Sequence, residues 1–381
     1  MLLFPHVSVP DMFSPKRGLA NGHLMTIYAW GRPRRFPRLP APVERFFDVA
    51  PDARVLAHCH WQAERDGHPL LLALHGLEGS SQAHYMRGLA DKAYAAGFNV
   101  ILLNQRNCGG TEQHSAGLYH SGLTADADYV IREIAVTDNV EQIVVAGYSL
   151  GGNLALKLAG DYADRPPPQL RGVCAVSPVM ELEACVRALE RRQNFVYQWN
   201  FVRGLKNRMR RKAHWFPEQF AIDRLDAVRS VREFDEVYTA PHFGFKDASD
   251  YYHRASAMRV IDRVRVPARI ITAEDDPFVP AAPFRDPRVT ANPCLHISIT
   301  RHGGHCAFVT DPLDGPDGDD GYWAEREILT FARMHIETES CLLNGTSERQ
   351  RVSHASGARR RTRCARERVG GLQEAKPPGE D

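Results

Sequence analysis

The sequence predicts an α/β protein in which a mostly parallel sheet is flanked by helices and interrupted by a helical cap. Three observations carry that expectation. Short apolar runs alternate with segments of three- and four-residue apolar spacing along most of the chain, the order expected of buried parallel strands joined by helical crossovers. One run, "IVVAGYS", breaks at a cluster of glycines and passes directly into the helical pattern "NLALKLAG". From Met180 to Arg263 the alternation gives way to a long polar and aromatic stretch, read as the cap.

A chain of 381 residues with 43% hydrophobic content can bury one large core. The expected organisation is an N-terminal segment packing on the core (1–40), the first part of the core (41–179), the cap (180–263), the second part of the core (264–336) and a disordered tail (337–381). The tail has no apolar periodicity and is rich in Arg, Ser, Gly and Glu, a composition that cannot bury enough surface to fold alone.

Nine Lys and Arg and seven Asp and Glu fall in that tail, against a net charge of +2 for the chain, so the body is balanced. That balance argues against a nucleic-acid partner. No stretch approaches the ~20 apolar residues of a membrane span, and Met1–Phe13 is broken by Pro5, His6 and Pro10 without a basic start, unlike an export signal. The eight cysteines (Cys59, Cys108, Cys174, Cys185, Cys294, Cys306, Cys341, Cys364) show no CxxC pairing. They read as reduced thiols of a cytoplasmic protein.

In order, the expected strands are 54–61, 69–76, 98–105, 142–149, 172–178, 268–275 and 294–300, with helices over 84–97 and 124–135 between them. Within the cap, "NFVYQWNFVRGLKNRMRRK" (194–212) reads as a helix with Phe195, Trp199, Val202, Leu205 and Met209 along one face. Its cations Arg203, Lys206, Arg208, Arg210 and Arg211 fall mostly elsewhere, solvated over the core. The same amphipathicity allows a peripheral membrane or lipid contact through the cap. The aromatics Phe195, Tyr197, Trp199, Phe201, Trp215 and Phe216 fit either an apolar acyl pocket or the packing of the cap itself.

The chemistry starts at Gly147-Tyr148-Ser149-Leu150-Gly151. A serine hydroxyl is a weak nucleophile at neutral pH, so an enzyme must expose it, hold a base against it and stabilise the oxyanion that follows attack. A sharp strand-to-helix turn exposes it, and glycines on either side remove the side chains that would collide. For the oxyanion, the backbone N–H groups of Leu150 and of Leu77, in "LALHGLEGSS", are the candidate donors.

An orienting carboxylate and then a base should follow in chain order. Asp276 in "ITAEDDPFVP" and His305 in "RHGGHCAFV" fill those places, with Glu274, Asp275 and His302 as competitors. A metal site built on the histidines, including His58 and His60, is not expected, because no HExxH or Cys/His ligand spacing occurs.

Four stretches, "HGLEGSSQAHYMRGLADKAYAAGFNVILLNQRNCGGTE", "YHSGLTADADYVI", "GYSLGGNLALKLAG" and "DDPFVP…HGGHCAFV", together with the cap-to-core segment 232–257, resemble the YheT-like α/β-hydrolase family in order. The resemblance covers nearly all of residues 10–336. It implies the α/β-hydrolase fold and a serine esterase acting on carboxylic esters without a cofactor, with its triad on Ser149, Asp276 and His305. The family's Asn-Pro-His-Leu-Gln-Thr segment reads Asn21-Gly22-His23-Leu24-Met25-Thr26 here.

The expected partner is a small-molecule ester, with no obligate protein partner. Two rival readings share the fold: an acyltransferase using a lipid, alcohol or thiol acceptor, and a binding module without chemistry.

Overall fold

The computed structural model describes residues 13–313 and 319–336. Helix α1 (Gly22–Gly31) precedes the strands β1 (Val43–Ala50), β2 (Ala53–His60) and β3 (Leu70–Leu74). Helix α2 (His84–Ala95), β4 (Asn99–Leu103), α3 (Thr124–Thr137), β5 (Ile143–Tyr148), α4 (Leu150–Tyr162) and β6 (Leu170–Val176) follow. After an insertion come β7 (Ala268–Ala273) and β8 (Leu295–Thr300).

The eight strands form one sheet in the order β1-β2-β4-β3-β5-β6-β7-β8. β1, β2 and β4 pair antiparallel, and from β4 to β8 every pairing is parallel. Every residue of β3, β4 and β5 is buried, which is why they read as unbroken apolar runs and not as alternating ones.

The seven expected strands are present with ends shifted by at most two residues. The residues trimmed from the C-terminal ends of the runs at 69–76, 142–149 and 268–275, namely His75 and Gly76, Ser149, and Glu274 and Asp275, are loop residues. Sequence reading missed β1. Only Phe47 of "VERFFDVA" is fully buried, so this edge strand lacks both the continuous and the alternating apolar signature.

The insertion between β6 and β7 contains α5 (Leu182–Leu189), α6 (Phe195–Trp215) and α7 (Val231–Phe234), the last running into a π-helical turn at Asp235–Thr239. On α6, Val202, Leu205 and Met209 are buried as expected, but Phe195 and Trp199 are exposed. Of the cations expected in solvent, Arg208 lies inside, as does Lys212, because residues one turn apart share the face of Leu205 and Met209.

Buried cations must be paired or hydrogen-bonded, and both are. Arg208 Nη2 lies 2.9 Å from Glu78 Oε1. Lys212 Nζ donates to Asn107 Oδ1 at 2.9 Å and to the Glu112 and Ser115 carbonyls; burial pulls its pKa down to about 8.

Asn21 caps α1 by accepting from the Leu24 N–H. Met25 and Ala29 pack against Ala307, Val309 and Tyr322, and the buried Arg34 donates to Glu325 at 2.7 Å. Contacts divide the chain into units Met1–Arg333 and Met334–Asp381; the tail at 337–381 and residues 1–12 lie outside the described residues. Among the described residues no helix is long and apolar enough to cross a membrane.

Candidate active site

Ser149 lies between the end of β5 and the start of α4 with φ of 55°, a left-handed conformation that a non-glycine residue holds only when its surroundings enforce it. Two glycines make the turn possible. A Cβ on Gly147 would stand 2.0 Å from the Gly151 carbonyl oxygen, and one on Gly151 would stand 2.3 Å from the Leu74 carbonyl oxygen. The Ser149 N–H is tied to the end of β6 by donation to the Val176 carbonyl at 2.9 Å.

His305 follows β8, with its Nε2 2.9 Å from Ser149 Oγ and its Nδ1 2.9 Å from Asp276 Oδ2. The other Asp276 oxygen accepts from the Phe278 and Val279 N–H groups at 3.1 and 2.9 Å. The Asp276 side chain is fully buried, and among the described residues those N–H groups and the imidazole are its hydrogen-bond partners. With Nδ1–H donating to Asp276, Nε2 is left to accept from the serine hydroxyl. Burial disfavours the charged ring, but the Asp276 carboxylate paired with Nδ1 favours it, and the His305 pKa is raised above that of a free imidazole.

The competitors have other partners. Glu274 pairs with Arg285. Asp275 accepts from His302 Nδ1 at 3.2 Å and from the Gly304 N–H at 2.9 Å, so these two brace the loop that carries His305. His58 meets Ser81 and Gln82, and His60 Nδ1 donates to the Pro40 carbonyl.

Sequence reasoning gave the segment at 21–26 no role, and it is the support of this loop. The Thr26 hydroxyl accepts from the His305 N–H at 2.8 Å and donates to the Gly22 carbonyl at 2.6 Å. A Cβ on Gly304 would come 2.6 Å from both the Gly22 carbonyl oxygen and Thr26 Oγ1. The near invisibility of this contact in the sequence follows from its reach, since Thr26 and His305 are 279 positions apart.

The loop after β3 approaches the serine from the other side. A Cβ on Gly76 would lie 3.2 Å from Ser149 Cβ, and Leu77 and Leu150 line one pocket together with Ser149. The His75 ring is fully buried, donating from Nδ1 to the Gly76 carbonyl and accepting at Nε2 from the Gln105 N–H. Desolvation, with a smaller push from Arg208, lowers its pKa to about 4, so the ring that shapes this loop is neutral.

The α/β hydrolase fold family model matches residues 69–312. The Escherichia coli (strain K12) protein named "Putative esterase YheT" is 34% identical over 86% of this chain and 95% of its own length. The chain belongs to the α/β-hydrolase fold family, among its YheT-like members.

Mouse phospholipase ABHD3 is 28% identical over 63% of this chain and 58% of its own length. The Saccharomyces cerevisiae medium-chain fatty acid ethyl ester synthase/esterase 2 is 26% identical over 69% of this chain and 61% of its own. As a member of this family the chain is an ester hydrolase.

Beyond Ser149, the hydrolase's pocket runs between core and insertion, lined by Leu182, Val186, Leu189, Phe201, Leu205 and Phe234. Of the six aromatics expected to line a pocket or pack the insertion, Phe201 alone lines it. Phe195, Trp199 and Trp215 are exposed, and Tyr197 packs on Phe278 with ring centres 5.4 Å apart. Asp235 also lines the pocket, accepting from the Thr239 and Tyr252 hydroxyls at 2.7 Å each; burial raises its pKa to about 6. No sequence signal marked Asp235, which is placed by the π-helical turn.

Proposed function

We propose that this hydrolase cleaves carboxylic esters through an acyl-enzyme on Ser149. In the first step His305 Nε2 takes the hydroxyl proton, Ser149 Oγ bonds to the ester carbonyl carbon, and the resulting oxyanion is held by the Leu77 and Leu150 N–H groups. Collapse expels the alcohol, which leaves with the proton from His305. Water, deprotonated by His305, then attacks the acyl-enzyme, and the acid departs with Ser149 reprotonated. Asp276 keeps the imidazole in the required tautomer and stabilises its charged form.

The observation that carries the reading is the continuous relay in which His305 reaches Ser149 and Asp276 at 2.9 Å each. The insertion 180–263 serves as a cap, and the apolar lining beside Ser149 supports an acyl chain as the group it receives. Fluorophosphonate labelling tests the chemistry. Wild type should be labelled and Ser149→Ala and His305→Ala should not; labelling that survives in Ser149→Ala rejects the assignment.

A second reading, acyl transfer to an alcohol, is favoured by one comparison: the yeast relative is named as both an ethyl ester synthase and an esterase. Both readings share the acyl-enzyme and differ in the acceptor. Hydrolysis of a p-nitrophenyl ester in the presence of ethanol separates them, since transfer yields ethyl ester in excess of free acid.

A further inference from the structure

Two elements that are distant in sequence each carry an exposed apolar face, and the two elements touch. On α1, Leu24, Ile27 and Trp30 are each more than half exposed, as are Phe195, Val196 and Trp199 at the start of α6. The three-residue spacing puts the α1 trio on one helical face. The elements are joined where the rings of His23 and Tyr197 stack with centres 5.7 Å apart, His23 Nδ1 lying 3.3 Å from the Tyr197 hydroxyl. Single exposed apolar residues are ordinary on a soluble surface, whereas a cluster that includes two tryptophans and a phenylalanine marks an interaction surface.

Charge says which kind. No Asp or Glu occurs in 13–43 or in 191–217, although the chain has 46 of them. The exposed Arg35, Arg191, Arg192 and Arg203 form no ion pair with any other described residue, and Arg203 lies over the Trp199 ring at 5.5 Å. Exposed tryptophan and phenylalanine with unpaired arginines on or next to the same two helices, and no acidic group on either helix, match the interface of an anionic bilayer, where rings enter the headgroup layer and guanidinium groups meet lipid phosphates.

We propose that the exposed faces of α1 and the first half of α6 form a single docking surface for an anionic lipid bilayer. This surface backs onto the site. Thr26 of α1 accepts from the His305 N–H at 2.8 Å, and Tyr197 packs on Phe278, whose ring centre is 4.0 Å from that of His305. Docking therefore sets the bilayer against the two elements that contact the His305 loop, the side from which a lipid-borne ester would be taken up. That consequence rests on the hydrolase mechanism proposed above; the docking itself does not.

The test is co-sedimentation of the full chain with vesicles of equimolar phosphatidylcholine and phosphatidylglycerol, beside vesicles of phosphatidylcholine alone. Wild type should partition to the anionic vesicles, lose that binding in high salt, and show a blue shift of tryptophan emission. The combined variant Leu24→Ser, Trp30→Ser, Phe195→Ser, Trp199→Ser and the charge variant Arg191→Glu, Arg192→Glu, Arg203→Glu should each bind at least about ten-fold more weakly. Both should hydrolyse water-soluble p-nitrophenyl acetate as wild type does, which shows that they fold.

Wild type that stays in the supernatant, or variants that sediment equally well, overturn the proposal. A concentration-dependent dimer abolished by the same substitutions, without vesicle binding, assigns the face to a second copy and overturns it too. Vesicle binding by a wild type that fluorophosphonate fails to label would leave the docking surface standing and reject the mechanism instead.

Discussion

The Thr26 hydroxyl and the His305 backbone N–H meet at 2.8 Å, so a helix outside the sheet holds the loop that positions the imidazole between Asp276 and Ser149. Replacing Thr26 by Val keeps the shape but leaves that partly buried N–H without its acceptor, a cost of about 1 kcal/mol. The loop relaxes by shifting His305. We expect kcat to fall about ten-fold or more with KM little changed, and Thr26→Ser, which keeps the hydroxyl, to restore it. Steady-state kinetics on one ester decides this, since a purely structural loss would lower the thermal midpoint without moving kcat in the folded fraction.

Arg208 and Glu78 form the corresponding tie between insertion and core, 2.9 Å apart with both side chains largely buried. Burial pushes the Glu78 carboxyl up while Arg208 pulls it down, so removing the guanidinium strands a buried acid. Arg208→Met should cost about 3–5 kcal/mol, and Glu78→Gln combined with Arg208→Met should recover much of it, because replacing both partners removes the unpaired charge. Urea denaturation of the two variants measures the difference.

The His305 pKa is raised above that of an ordinary imidazole, with the Asp276 carboxylate opposing the desolvation of the ring. Only the neutral ring can take the Ser149 proton, so kcat/KM should rise with pH through an apparent pKa above 6.5 and fall away on the acid side. Asp276→Asn removes the carboxylate that favours the charged ring, which should move the acid limb to lower pH. It also loses the tautomer, and the rate should drop by about 10⁴-fold. A pH profile of each protein reads both effects.

Acid should attack the loop after β3 through His75. Its pKa is lowered from 6.5 to about 4 in the fold, so the unfolded chain binds a proton that the native chain refuses. Stability from this group is full above pH 6.5 and is lost as pH falls from there towards 4, by at most about 3 kcal/mol. Protonating Nε2 would also remove the acceptor of the Gln105 N–H. Denaturation midpoints from pH 7 to 4 should fall, and His75→Gln, which has no titrating ring, should flatten that dependence.

The strands, the crossovers and the serine turn were legible because each rests on neighbours in sequence. Apolar runs such as "VILLN" report burial on both faces, and Gly147 and Gly151 flank Ser149 within five positions. The order of Ser149, Asp276 and His305 along the chain was legible for the same reason, each following an apolar run that forms a strand. β1 was not, since an edge strand buries too little to leave a pattern.

Helix α6 was half legible. Its period was plain, but which charges it buries depends on what faces it, and the Glu78 carboxylate that draws in Arg208 and the Asn107 amide and the carbonyls that draw in Lys212 lie about 100 or more positions away.

By itself, then, the sequence determined the elements, the turn that exposes Ser149 and the residue types available for the relay, because backbone conformation and burial are set largely by local spacing. Only the tertiary structure decided that His305 and not His302 faces the serine, that Asp275 and Thr26 brace the loop between them, that Arg208 and Lys212 go inward while Phe195 and Trp199 stay out, and that α1 lies beside α6. Those outcomes depend on distances between groups far apart in the chain, and such distances exist only once the sheet has brought the ends of its strands together.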